Sequence, residues 1–138
     1  MIILRDKTFS AKELKGTVFH KMFPKIKVEV DADDGITEEN VSKVVCTKSA
    51  VQILDLIAKA VWEYEEKLTK YTGLEKKDVV PNNFTVVKLS HVFNPNSISI
   101  EVEAKKGTPL EDKMGGFFFW DVIIDLKAGT SEVGFAGD

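Results

Sequence analysis

The chain has 138 residues, with 22 acidic and 19 basic side chains that give a formal net charge of −3. A hydrophobic fraction of 43% and a charged fraction of 30% are typical of one folded domain, which we place at residues 1–138. These properties exclude a disordered tail and a strongly basic nucleic-acid-binding protein, and no apolar run is long enough to span a membrane. With one cysteine and no signal-peptide pattern, we expect a cytoplasmic protein.

The first half of the chain predicts two strands and two helices. Residues 25–31 alternate between apolar and charged side chains, as in a half-buried strand, and residues 17–23 are also extended. Thr37 can cap a short helix at about 38 to 46. A long helix at about 49 to 73 follows, because apolar residues recur three and four positions apart. Its predicted inner face consists of Ile53, Leu56, Ile57, Ala60, Val61, Tyr64, Leu68 and Tyr71.

The second half predicts four strands, at residues 84–92, 97–104, 117–126 and 132–137. The adjacent apolar residues Val86 and Val87 indicate a bulge or burial on both faces. Clean alternation in the second of these strands points four side chains inward, namely Ile98, Ile100, Val102 and Ala104. Residues 105–116 are polar and contain glycines and a proline, so we expect a mobile loop there.

The predicted order of elements is ββααββββ. Strands joined by short turns favour antiparallel pairing, and a long amphipathic helix requires a sheet face to cover. We therefore predict an α+β fold with a largely antiparallel sheet of about five to six strands. One long helix and one short helix pack on one face of this sheet.

We find no pattern that indicates a metal, a cofactor or a reactive thiol. An acidic turn that ends at Gly35 does not fit a calcium loop, because the first and third ligand positions are then Val30 and Ala32. Cys46 follows two valines in a predicted helix, an apolar context that does not activate a thiol. We predict no metal site and no cofactor.

An enzyme remains an alternative interpretation. It would use His20 or His91 together with Asp121 or Asp125, which could converge in space although nothing in their spacing requires it. The two aspartates share one strand face but lie four residues apart, or roughly 13 Å along a strand. This distance is too large for a glycosidase carboxylate pair, so bonding within a loop or to solvent is the simpler role.

Four consecutive aromatic residues begin directly after Gly115 and Gly116. One interpretation is that both faces of this strand are covered, since neighbouring side chains point to opposite faces. The other is an exposed surface that binds a protein or a ligand. The candidate binding residues on this second interpretation are Phe117, Phe119, Trp120, Asp121 and Asp125.

A family resemblance is carried by four segments of the chain, at residues 33–39, 60–64, 119–126 and 133–138. They resemble uncharacterised bacterial domains of unknown function, some of which accompany polymorphic toxin systems. The resemblance implies an immunity-like role and supplies no catalytic residues.

The charge of the chain is unevenly distributed, which bears on its partner. Residues 1–30 contain seven bases and three acids, whereas residues 97–138 contain four bases and eight acids. An acidic second half attracts a basic partner. We therefore predict a non-enzymatic cytoplasmic binding protein of a toxin-immunity-like type. It is expected to bind a basic protein surface and neither nucleic acid nor membrane. A structural homo-oligomer is a further alternative.

Overall fold

The structure is a computed structural model that describes residues 7–10, 27–30, 50–94, 96–115 and 118–137. Several predicted features lie outside the described residues, namely the short helix at about 38 to 46, the acidic turn before Gly35, His20, Cys46 and Phe117.

The fold is α+β, and an antiparallel sheet of four strands forms its centre. The strands in chain order are β1 (Lys7–Ser10), β2 (Lys27–Val30), β3 (Phe84–Asn94), β4 (Ser97–Ala104), β5 (Phe119–Asp125) and β6 (Thr130–Gly137). Strands β3 to β6 pair in sequence order, each antiparallel to the next. The short β1 and β2 pair with each other, and β2 runs parallel to β3.

The parallel pair is a local departure from the antiparallel expectation. A parallel pair needs a crossover connection, and the chain between β2 and β3 contains the long helix. The predicted count of five to six strands and the order ββααββββ extend over positions outside the described residues, so both stay predictions.

The core lies between the sheet and helix α1 (Ala50–Glu65). Ile53, Ile57 and Val61 recur every fourth residue and are fully buried. The side chains predicted to point inward from β4, namely Ile98, Ile100, Val102 and Ala104, are buried, and Trp120, Val122 and Ile124 of β5 are buried beside them. Ser131 of β6 donates a hydrogen bond from Oγ to the Leu56 carbonyl oxygen at 2.7 Å, which fixes the helix across the edge strand.

The predicted inner face of the helix is wrong at its carboxyl-terminal end. Tyr64, Leu68 and Tyr71 are 43%, 42% and 75% exposed, whereas Glu65 is 1% exposed. After Val61 the next inward position belongs to Glu65, and the helix then changes to a 3-10 turn at Glu66–Leu68. The apolar stripe therefore continues past the part of the helix that the sheet covers.

The helical segment ends at α2 (Thr69–Thr72), where Gly73 reverses the chain. Gly73 has a φ of 71° and donates its N–H to the Thr69 carbonyl oxygen at 2.8 Å. A left-handed residue at this position favours glycine, as the sequence predicts. The chain then forms 3-10 turns at Lys76–Asp78 and Pro81–Asn83 before β3.

The bulge predicted at Val86 and Val87 is confirmed. Val86 lies opposite Val102 and Lys88 lies opposite Glu101, so Val87 is the extra residue on β3. Two further register shifts follow along the same strand pair.

The predicted mobile loop at 105–116 contains helix α3 (Pro109–Met114), so that prediction is wrong for these residues. Thr108 caps the helix by accepting a hydrogen bond from the Glu111 backbone N–H, and Pro109 fits the first turn because it has no N–H to satisfy. Leu110 is fully buried. Lys113 Nζ lies 2.7 Å from Asp78 Oδ2, which joins α3 to the 3-10 turn after the long helix.

Candidate functional site

The candidate site is the face of the four-stranded sheet turned away from α1, which we call the outer face. Register places Phe119 opposite Glu103 and Gly137, and places Asp121 opposite Glu101 and Phe135. On β4 to β6 the outer face includes Ser97, Ser99, Glu101, Glu103, Phe119, Asp121, Ile123, Asp125, Thr130, Glu132 and Phe135, and on β3 it includes Thr85 and Lys88, which lie opposite Glu103 and Glu101. Five of the eleven residues on β4 to β6 are carboxylates. The chemistry of this face is therefore acidic around an apolar centre.

Phe119 and Phe135 form the apolar centre of the outer face. Their ring centroids lie 5.6 Å apart, Phe119 is half-buried, and Phe135 is 56% exposed. Phe119 is among the binding residues predicted from the sequence, and Phe135 is not. The signal that could have identified Phe135 is its place between Gly134 and Gly137, since small neighbours leave an aromatic ring uncovered.

Gly134 is needed for the close approach of β6 to β5. A Cβ atom at this position would lie 2.8 Å from Ile123 Cδ1. The strand pair also shifts register here, because Asp121 lies opposite Phe135 and Val122 lies opposite Val133. The bulge at Gly134 thus sets the direction in which Phe135 leaves the strand.

Trp120, predicted as a binding residue, is corrected to a core residue. It is fully buried and points toward α1, because side chains alternate along β5. Its ring contacts Phe84 and Phe118 at centroid distances of 5.7 and 5.0 Å. No part of its side chain reaches the outer face.

The indole of Trp120 is held by a buried carboxylate. Its Nε1–H donates to Glu65 Oε1 at 2.9 Å. Burial raises the pKa of Glu65, and the hydrogen bond from Trp120 acts in the opposite direction with a smaller effect. This pair was not predicted from the sequence, because glutamates on helices are usually exposed and nothing in the local pattern marks Glu65 as buried.

The two predicted aspartates both have hydrogen-bond partners within the fold. Asp121 Oδ1 accepts from Ser90 Oγ at 3.1 Å, between β5 and β3. Asp125 Oδ1 accepts from the backbone N–H groups of Lys127 and Ala128 at 3.0 and 2.9 Å, which shapes the turn into β6. Both carboxylates remain half-buried on the outer face.

A cleft of about 380 Å³ opens beside Asp125 at the end of the outer face. Its lining is mostly polar and consists of Ser97, Ile123, Asp125, Thr130, Ser131 and Glu132. Hydroxyls and carboxylates of this kind accept hydrogen bonds from an ammonium or guanidinium group.

The enzyme alternative, His20 or His91 with Asp121 or Asp125, stays a prediction, because neither histidine side chain is among those that the structure describes. The backbone of His91 lies opposite Ser99, and Ser99 lies opposite Ile123, so His91 is two strands away from β5. Among the described side chains, no group of three or more His, Cys, Asp or Glu residues could hold a metal ion.

No helix within the described ranges is both long and apolar enough to cross a membrane. Comparison of the chain with protein-family models, with curated protein sequences and with solved structures gives no significant match.

Proposed function

We propose that this domain is a non-enzymatic, cytoplasmic binding protein of the toxin-immunity type, and that its outer face binds a basic surface of another protein. The observation that carries the proposal is the exposed Phe135 ring, packed on Phe119 and surrounded by carboxylates. An exposed aromatic residue on a rigid strand is typical of the energetic centre of a protein interface.

The charge of the outer face supports a basic partner. Glu103 and Glu132 are exposed, and Asp121 and Asp125 are half-buried on the same face. Carboxylates around an apolar centre attract a basic surface and orient it before contact. The rim charges then contribute mainly to the association rate, whereas Phe135 contributes mainly to the lifetime of the complex.

The rigidity of the outer face also supports binding without rearrangement. The four strands are hydrogen-bonded in sequence order, and Trp120 anchors the opposite face of β5 in the core. A preformed surface loses less conformational entropy on binding than a flexible one. A stable complex requires about 800 Å² of buried surface on each partner.

The test begins with isolation of the partner from the native host and reconstitution from purified components. Phe135→Ser combined with Glu132→Lys should weaken the complex at least a hundredfold. The matched control is Tyr71→Ser combined with Glu66→Lys, because Tyr71 is more exposed than Phe135 but lies on the helical segment. Equal binding by the wild type and the outer-face variant would exclude this face. For the immunity role, coexpression with the toxin-like partner must restore growth, and the outer-face variant must fail to do so.

The alternatives make different predictions in the same experiments. A homo-oligomer would show a concentration-dependent mass in light scattering, and the outer-face variant would be monomeric. An enzyme using His20 or His91 with Asp121 or Asp125 would lose turnover on substitution of the histidine that it uses. No observation among the described side chains favours either over heteromeric binding.

We further propose the finer fold, with five to six strands in the order ββααββββ and a second, short helix before α1. The pairing of β1 with β2 and of β2 with β3 supports the strand count. Amide hydrogen exchange of the full chain would test it, since slow exchange at Lys27–Val30 is expected of paired strands.

A further inference from the structure

A second concave surface lies on the other side of the molecule, between α1 and the segment that follows Gly73. The reversal at Gly73 brings the 3-10 turn at Lys76–Asp78 back beside the helix. The cavity between them has a volume of about 440 Å³, and we call it the Trp62 groove. Its lining consists of Ala58, Lys59, Trp62, Glu63, Lys76 and Val79.

The floor of the Trp62 groove is apolar. Ala58 and Val79 are buried, and Trp62 is half-buried against the core. Ala58 and Trp62 are four residues apart on α1, so they lie on one face of the helix. The small side chain of Ala58 leaves space beside the indole. An aromatic ring can therefore stack on Trp62 without displacing the core.

The rim of the Trp62 groove is charged. Lys59 and Lys76 are exposed, and within the described part of the chain neither ammonium group forms an ion pair. Glu63 is the one carboxylate among the described residues of the lining, and these residues together have a net charge of +1. This charge matches a ligand with one negative charge.

We propose that the Trp62 groove binds a small aromatic carboxylate. The ring of the ligand lies on the Trp62 indole, and its carboxylate is held by Lys59 and Lys76. The volume lies within the roughly 300 to 1,000 Å³ of small-molecule sites, and an apolar floor with a few polar groups at the rim is their usual composition. The groove is separate from the outer face, so the site does not depend on the protein-binding role.

The experiment is an NMR titration of the full-length, ¹⁵N-labelled protein with phenylacetate, its neutral analogue phenylacetamide and the cation phenethylammonium. The chain has two tryptophans, so the indole N–H of the buried Trp120 is an internal reference. We expect phenylacetate to shift the Trp62 signal to saturation and to leave the Trp120 signal in place. Phenylacetamide should bind at least tenfold more weakly, and phenethylammonium should not bind.

A pair of double variants separates the groove from general surface charge. Lys59→Gln with Lys76→Gln should reduce the affinity for phenylacetate at least tenfold. Lys67→Gln with Lys70→Gln removes the same charge elsewhere on the helical segment and should leave the affinity within twofold. The proposal is overturned if phenylacetate does not saturate the Trp62 shift. Equal affinity for the acid and the amide, or equal loss in both double variants, overturns it as well.

Discussion

The buried carboxylate of Glu65 allows a specific test of the core. Replacement of Glu65 by Gln keeps an acceptor oxygen for the Trp120 indole but removes the charge. An ionised acceptor forms a hydrogen bond worth about 1.5 to 3 kcal/mol, against about 0.5 to 1.5 kcal/mol for a neutral one. Burial of an ion costs several kcal/mol. The charged hydrogen bond to Trp120 offsets part of that cost, and we expect E65Q to be about 1 kcal/mol more stable at pH 7.

The sign of the pH dependence follows from the raised pKa of Glu65 in the folded state. Below the ordinary glutamate pKa of about 4.3, the carboxyl is protonated in both the folded and the unfolded state. As the pH rises above this value, the unfolded state ionises first, so the free energy of unfolding of the wild type falls relative to E65Q. The difference stops growing once the folded state has ionised as well.

Urea unfolding between pH 4 and pH 8, followed by tryptophan fluorescence, measures this difference directly. E66Q is the matched control, because Glu66 is the exposed neighbour of Glu65 and should show little change. If E65Q is no more stable than the wild type at pH 7, or if its advantage does not shrink toward pH 4, then burial does not destabilise the ionised form and the reasoning fails.

Three further substitutions test the packing and should each be measured by urea unfolding. Asp78→Asn weakens a charged hydrogen bond to Lys113 and should lower the free energy of unfolding by about 1 to 3 kcal/mol. Because Lys113 lowers the pKa of Asp78, this difference from the wild type should vanish as acid protonates the wild-type carboxylate. A difference that persists at low pH would contradict the ion pair between Asp78 and Lys113. Leu110→Ala should cost about 2 to 5 kcal/mol, since the side chain is fully buried, and a cost below this range would mean that α3 is not part of the core. Gly134→Ala should cost about 1 kcal/mol through its contact with Ile123 Cδ1, and Ile123→Val, which removes that atom, should restore most of the loss; no rescue would contradict the close approach.

Local patterns were sufficient to predict the strands of the second half and the carboxyl-terminal end of the long helical segment. The alternation at 97–104 identifies the inward side chains of β4 because a strand has a fixed period of two. Gly73 marks the end of the helical segment because few other residues adopt its left-handed conformation.

Features that depend on tertiary placement were not predictable in this way. Tyr64, Leu68 and Tyr71 continue the helical stripe in sequence, yet they are exposed because the packed part of the helix ends at Glu65. Phe135 forms the centre of the candidate site because β6 is an edge strand, and a single sequence does not state which strand is at the edge. The candidate residues Phe119, Asp121 and Asp125 lie on the outer face, whereas Trp120 lies on the opposite face of the same strand.

The connectivity of the sheet has a consequence for the order of folding. Strands β3 to β6 are neighbours both in the chain and in the sheet, so each can pair soon after its predecessor with little loss of chain entropy. The parallel pairing of β2 with β3 requires closure of the segment from residue 31 to residue 83. Closing this long segment loses more chain entropy than closing the short turns between β3 and β6. The contacts that compensate for this loss form only when the helix has docked on the sheet. We therefore expect strands β3 to β6 to form the sheet first and the edge at β1 and β2 to join it last.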